Sequence, residues 1–248
     1  MCMPEPQHIK AKAGDIAERV LLAGDPDRVR QLSNMLQNAT VVNENRGYIT
    51  YTGFYREERV TIACHGIGAP SAAIVIEELH MLGAKVMIRL GTAGGLLKEM
   101  KYGDVLIANG AFLPQGNIMN QYSESVIPPT VPSYDVLSSL VNASRISKTA
   151  VYIGPVHSGD AFYAEGSDHS ARLSTLGYIG AEMEAGTLFA LASLRGFKAG
   201  ALFMVSNNIA LNTPLYDASK LRSYLDNVAS IAMDALVSVK PDSSHQSS

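Results

Sequence analysis

Residues 60–90 read VTIACHGIGAPSAAIVIEELHMLGAKVMIRL, and this stretch decides the fold. It opens on a nearly continuous apolar run, 60–64, and turns through His65-Gly66-Ile67-Gly68-Ala69-Pro70-Ser71. A helical pattern follows over 71–82, then a second apolar run over 86–90. Strands that are apolar throughout are covered on both faces. In the helix, Ile74, Leu79 and Leu82 are expected to point inward, with Glu77 and Glu78 offset around it.

The same alternation extends in both directions. Strands are expected over 20–23, 49–52, 60–64, 86–90, 104–108, 150–156 and 199–206. Helices are expected over 26–36, 71–82, 134–144, 167–176, 183–195 and 219–239. This pattern predicts an α/β fold with a doubly covered sheet of mixed strands, whose ligands bind near the carboxyl ends of the strands. There is no internal repeat. One domain is expected over 1–240, followed by a polar, serine-rich tail over 241–248.

Composition narrows the function. The chain has 248 residues, 20 basic and 23 acidic, for a formal net charge of −3, and 47% are hydrophobic. That is enough apolar material for a sizeable core and argues against disorder. Only 17% of residues are charged, against about 25% in average proteins. A basic nucleic-acid binder is excluded, and a surface poor in charge hints at contacts between subunits. Cys2 and Cys64 are not expected to pair. No run approaches the roughly 18 apolar residues of a membrane span, and residues 1–12 hold no apolar signal core. A cytoplasmic protein without membrane contact is therefore expected, in which the sequons at Asn38 and Asn142 are chance matches. The histidines show no metal-ligand spacing.

The strand ends carry the chemistry. Gly24-Asp25-Pro26-Asp27-Arg28-Val29 follows the first strand. Gly24 lets a ligand approach backbone N–H groups, Pro26 suits a first helical turn, and Arg28 can fork onto phosphate oxygens. A plain strand-to-helix turn with Asp25 as N-cap is the alternative. The Gly66-Ile67-Gly68 loop resembles half a dinucleotide fingerprint but fails as one. Pro70 occupies the loop, and no acidic residue closes the next strand.

Arg89-Leu90-Gly91-Thr92-Ala93-Gly94-Gly95 places an arginine inside an apolar strand, costly unless it meets an anion. The turn expected after it offers small residues, the Thr92 hydroxyl and N–H groups, a set that suits phosphate. A structural ion pair for Arg89 is the alternative. In Ser158-Gly159-Asp160-Ala161-Phe162-Tyr163 the adjacent aromatics offer a flat wall for a ring, or simple core packing. Glu182-Met183-Glu184 sets two carboxylates in an apolar stretch, where one can accept two hydrogen bonds from a sugar diol or complement a helix dipole. Ser206-Asn207-Asn208 puts polar groups at a strand's carboxyl end, able to read a ring edge or to form a turn.

Taken in order, these stretches resemble the nucleoside phosphorylase-I family, which holds hexameric purine nucleoside phosphorylases, uridine phosphorylases and archaeal methylthioadenosine phosphorylases. The likeness runs from His8 to about Val239 and is strongest toward the archaeal purine and methylthioadenosine members. It is carried by His8-Ile9-Lys10-Ala11, Ala23-Gly24-Asp25-Pro26, Asn43-Glu44-Asn45-Arg46-Gly47, Arg89-Leu90-Gly91-Thr92, Asp160-Ala161-Phe162-Tyr163-Ala164-Glu165 and Glu182-Met183-Glu184.

The resemblance implies a three-layer αβα fold with a central mixed, partly barrel-like sheet flanked by helices. It implies cleavage of an N-glycosidic bond by inorganic phosphate, giving free base and ribose 1-phosphate in nucleoside salvage, with phosphate as co-substrate and no metal or organic cofactor. Phosphate would be held by Gly24, Arg28, Arg89 and Thr92, with Arg46 from a neighbouring subunit. The ribose would meet Met183, Glu184 and the neighbour's His8. The base would meet Phe162, Ala181, Glu182, Ser206 and Asn207. Catalysis would rest on Asn207, Arg89 and Glu184. The assembly implied is a homo-oligomer, a hexamer built as a trimer of dimers.

Two departures bear on the base. Purine members carry an aspartate after the serine, where this chain has Asn207, and the family's helper arginine is matched only loosely by Lys220 or Arg222. Uridine phosphorylases share the asparagine but read uracil with a glutamine and an arginine, where this chain has Gly166 and Asp168. The expectation is a purine-type phosphorylase favouring 6-oxopurines, with uridine and methylthioadenosine phosphorylases as alternatives. A non-catalytic nucleoside binder is the distant one, and it has no need of the arginine set.

Overall fold

The computed structural model describes residues 5–124, 126–164, 168–216 and 218–241, with the backbone alone for residues 218–222. Cys2, Glu165 and Gly166, the side chains of Lys220 and Arg222, and the tail from 242 onward lie outside the described residues.

The elements in chain order are β1 (Arg19–Ala23), α1 (Pro26–Ser33), β2 (Gln37–Asn43), β3 (Thr50–Tyr55), β4 (Glu58–Cys64), α2 (Ala69–Met81), β5 (Val86–Gly95) and β6 (Val105–Phe112). They continue as α3 (Met119–Ser123), α4 (Tyr134–Ala143), β7 (Val151–Ser158), α5 (His169–Thr175), β8 (Gly180–Glu182), α6 (Ala185–Arg195), β9 (Lys198–Asn208) and α7 (Ala218–Ser238).

The strands form one mixed sheet, ordered β2-β3-β4-β1-β5-β8-β7-β6-β9. β9 also pairs in parallel with β5, from Val86↔Lys198 onward, so five strands close into a barrel-like ring while β2, β3, β4 and β1 extend from it. Side chains alternate across this sheet. Val20, Leu22 and Met87 pack toward α2 and α6, whereas Leu21, Ala23, Ile88 and Leu90 pack toward α1, α4 and α7. Both faces are covered, which is why the strands read as unbroken apolar runs. The three-layer αβα expectation with a partly barrel-like sheet is borne out.

The last helix shows what holds the layers together. Leu225, Val228, Ile231, Met233, Leu236 and Val239 are buried against the sheet and α4. Burying each such side chain is worth roughly 1.5–3 kcal/mol, so packing rather than helix propensity fixes α7.

Several expectations are corrected. The glycine-rich run 91–95 is not a turn; β5 continues through it to Gly95. The residues are small because neighbours crowd the strand: a Cβ at Gly94 would lie 2.2 Å from Ile209 Cδ1 and 3.2 Å from Asn207 Oδ1. In α2, Ile74 is 37% exposed, and Ala72, Ala73, Val75, Ile76 and Leu79 form the buried face. Glu78 is buried too, because its carboxylate accepts the backbone N–H groups of Gln7 (2.9 Å), His8 (2.8 Å) and Ile9 (2.6 Å). The helix expected from residue 183 begins at Ala185, leaving Met183 and Glu184 in the turn before it. β2 and β8 were not foreseen: β2 is polar and largely exposed, and β8 spans three residues.

Candidate active site

A cavity of about 620 Å³ opens where β1, β4, β5, β8 and β9 end. Its wall brings together Gly24, Arg28, Arg89, Thr92, Phe162, Ala181, Glu182, Met183, Glu184, Ser206 and Asn207. Every candidate expected from within one subunit therefore lines one space.

One part of the wall is built by two turns, those after β1 and β4. Asp25 caps α1, accepting from Asp27 N–H at 2.9 Å, and Pro26 opens the helix, so the capping alternative holds as well. Gly24 is required for close approach, since a Cβ there would sit 2.9 Å from the Gly66 carbonyl oxygen. Arg28 reaches the cavity from the first turn of α1. Burial lowers its pKa; Asp25 opposes the shift and the neighbouring Arg89 guanidinium adds to it. The hydroxyl of Thr92 has no protein partner among the described residues.

Arg89 lies on β5 and is 5% exposed. Its Nε donates to Glu182 Oε2 at 3.2 Å, its Nη1 lies 2.8 Å from His65 Nε2, and its Nη2 donates to Glu184 Oε2. The structural-pair alternative is thus present while the guanidinium still lines the cavity. Five N–H donors serve three protein acceptors, which leaves donors for a ligand.

Glu182 and Glu184 differ in what they offer. The Glu182 side chain is inaccessible, and its carboxylate accepts from Arg89, from the Ser158 hydroxyl, from Glu184 N–H at 2.9 Å and from Ala185 N–H at 3.0 Å. It satisfies the first donors of α6 and anchors Arg89. Glu184 accepts from Gly68 N–H at 2.6 Å and from Arg89, on a side chain that is 6% exposed. Burial raises its pKa, Arg89 opposes the rise and Glu182 adds to it.

Another part of the wall is shaped by a bulge in β9. Ala93 pairs with Val205 and Gly94 with Asn207, so Ser206 is an extra residue facing no partner. Bulges re-aim side chains near active sites, and this one brings both Ser206 and Asn207 into the cavity. Asn207 Oδ1 accepts from Ser206 Oγ at 3.3 Å, while its amide nitrogen meets no protein acceptor among the described residues. Phe162 is 52% exposed and meets Tyr163 edge-on, with ring centroids 5.2 Å apart.

His8 and Arg46 do not line this cavity, and Asn45 ties their two segments together. His8 Nδ1 is 2.7 Å from Glu78 Oε1, and the His8 carbonyl accepts from Asn45 Nδ2 at 2.9 Å. Arg46, next in sequence to Asn45, is exposed at a left-handed φ of 56°. Sequence reasoning missed His65 and the Gly68 N–H as partners of Arg89 and Glu184. The only signal for them was their place in the loop after β4.

The family model described as the phosphorylase superfamily matches residues 18–236. The chain belongs to the phosphorylase superfamily. Among its relatives within that superfamily, a guanosine phosphorylase of Halorubrum lacusprofundi is 37% identical over 207 residues, covering 84% of this chain and 85% of that protein. A DeoD-type purine nucleoside phosphorylase of Roseobacter denitrificans is 35% identical over 230 residues, covering 92% and 97%. The solved uridine phosphorylase of Vibrio fischeri ES114 matches this member with a TM-score of 0.85 and 27% identity, over 96% of this chain and all of that one.

Proposed function

We propose that this nucleoside phosphorylase, a pentosyltransferase, prefers purine ribonucleosides, with 6-oxopurines such as inosine and guanosine first. The observation that carries the reading is one cavity that holds three chemistries together. Two arginines and a hydroxyl, a buried carboxylate, and an amide and an aromatic ring all line the same space.

In this reading, phosphate sits between the Gly24 turn, Arg28, Arg89 and Thr92. Arginine positions it without changing protonation state. Glu184 and Met183 hold the ribose, Glu184 accepting from its hydroxyls. As the glycosidic C–N bond lengthens, the sugar becomes oxocarbenium-like, and the phosphate dianion stabilises that charge and then bonds to the anomeric carbon. The electron pair of the broken bond leaves with the base, which needs a proton or strong hydrogen bonds. Asn207 donates through its amide nitrogen and stands beside Ser206, with Phe162 against the ring. Ala181 lines the same cavity, and Glu182 acts there through its grip on Arg89.

His8 and Arg46 are linked through Asn45 and do not line their own subunit's cavity. This supports a homo-oligomer, a hexamer built as a trimer of dimers in our reading, in which each protomer completes its neighbour's site. Among the described residues no helix is long and apolar enough to cross a membrane. The buried free thiol of Cys64 suits a reducing compartment, and we place the enzyme in the cytoplasm.

Two experiments test the substrate. Inosine, guanosine, adenosine, methylthioadenosine and uridine are compared with and without phosphate. Cleavage is expected only with phosphate, fastest for the 6-oxopurines; uridine turning over fastest overturns the purine preference. The uridine phosphorylase among the structural neighbours makes uridine the second reading. Separately, Asn207→Asp is expected to raise adenosine kcat/KM by about tenfold or more, because a carboxylic acid can deliver the proton an amide cannot. An unchanged adenosine rate removes Asn207 from leaving-group activation.

A further inference from the structure

We propose that His65 is a positioning residue of the phosphate site, a neutral imidazole that fixes Arg89 without cancelling its charge. The proposal rests on the reading that Arg89 holds phosphate.

The ring is 1% exposed and sits on the first residue after β4. Its backbone is held on both sides. The His65 N–H donates to the Ala23 carbonyl at 2.9 Å, and its carbonyl accepts the Ser71 hydroxyl at 2.6 Å. Ser71 in turn lies 3.1 Å from the Tyr48 hydroxyl. Nε2 is 2.8 Å from Arg89 Nη1. A guanidinium nitrogen only donates, so Nε2 accepts and the ring carries its proton on Nδ1. The ring also fills the space beneath the Gly24 turn, where a Cβ at Gly24 would be 3.4 Å from His65 Cε1. One side chain thus spaces the two halves of the anion cradle.

Charge explains the choice of residue. Arg89 already faces Glu182 and Glu184. A third carboxylate in place of His65 would orient the guanidinium but repel phosphate. An apolar side chain would leave Nη1 unpaired in the interior, and a cation would push Arg89 away. A neutral acceptor orients the group and leaves its charge for the ligand. Burial first, then Arg89 and Arg28, hold the His65 pKa well below its ordinary value, while the Gly66 backbone opposes them. The ring therefore stays neutral across the working range.

The test is a phosphate titration at saturating nucleoside, using whichever nucleoside the unaltered enzyme turns over fastest, paired with a nucleoside titration at saturating phosphate. Three variants are compared: His65→Leu, His65→Gln and His65→Glu. Losing a buried hydrogen bond to a charged group corresponds to about a tenfold to hundredfold effect. His65→Leu is expected to raise KM for phosphate by that factor, with the nucleoside KM within about twofold. His65→Gln, which keeps an acceptor, is expected to recover most of the loss. His65→Glu is expected to bind phosphate worse than His65→Leu.

A wild-type phosphate KM in His65→Leu overturns the proposal, as does a glutamine variant no better than leucine. If the leucine variant fails to fold, equal phosphate KM values for the glutamine and glutamate variants overturn it instead. Absence of phosphate-dependent cleavage by the unaltered enzyme refutes the phosphate reading itself, a result visible before any variant is made.

Discussion

Replacing Arg89 by methionine is expected to lower kcat/KM for phosphorolysis by about three orders of magnitude or more, and to destabilise the fold in the same stroke. The activity loss follows from removing a cation aimed at the anion. The stability loss follows from what the guanidinium leaves behind. Glu182 is inaccessible and Glu184 nearly so, and both face Arg89. Breaking a buried pair from one side costs roughly 3–5 kcal/mol, because the remaining charge is uncompensated. Thermal unfolding of the variant beside the parent reads the second effect, and phosphate-dependent cleavage reads the first. An Arg89→Lys control separates charge from geometry, since one ammonium cannot reach three acceptors as a fork does. Unaltered phosphate-dependent turnover in the methionine variant would remove Arg89 from the site.

The second large effect belongs to Glu184. Glu184→Gln is expected to lower kcat/KM by about 10²–10³, since an amide oxygen holds sugar hydroxyls and Arg89 far more weakly than a carboxylate does. The pH profile carries a sign that identifies the group. Burial raises the Glu184 pKa against the opposition of Arg89. Its acid limb therefore lies above the ordinary carboxylate value of 4.5, and nucleoside binding weakens as the pH falls through that raised value. The stability contribution runs the other way. The folded state keeps a proton that the unfolded chain has released, so the stability tied to this group is full below about 4.5 and is lost as the pH rises through the raised pKa. The glutamine variant should lose the acid limb. A limb that persists unshifted assigns it to another residue.

Much of the fold could be read from the chain because both faces of the sheet are covered. β1, β4, β5 and β9 each carry a run of apolar residues through the covered part of the sheet, and such runs stand out. β2 offers no such signal, since all of its residues Gln37–Asn43 except Val42 are polar or exposed and it pairs only at an edge. The run Gly94-Gly95 reads as a turn until one sees Ile209 and Met100 packed where side chains would be. The site was legible where a chemistry-bearing residue follows an apolar strand, as with Gly24 and Arg28, or interrupts one, as with Arg89, Thr92 and Asn207. It was not legible where function depends on convergence. Nothing along the chain says that Ser158, Arg89 and the first N–H groups of α6 meet on Glu182. Nor does it say that a histidine 24 residues before Arg89 accepts from it.

The pairing of β5 with β9 also sets an order of events for the newborn chain. The strand bearing Arg89 and Thr92 can pair with β1 early, but gains β9 on its other edge only once residues 198–208 exist. Until then one edge of β5 stays open, and no half-made chain can carry the Asn207 wall of the pocket. Contacts of such sequence separation form late and slowly. The interval in which that edge is bare is when the polypeptide is most exposed to wrong partners. Truncation anywhere before residue 208 should therefore yield aggregation rather than a weak enzyme.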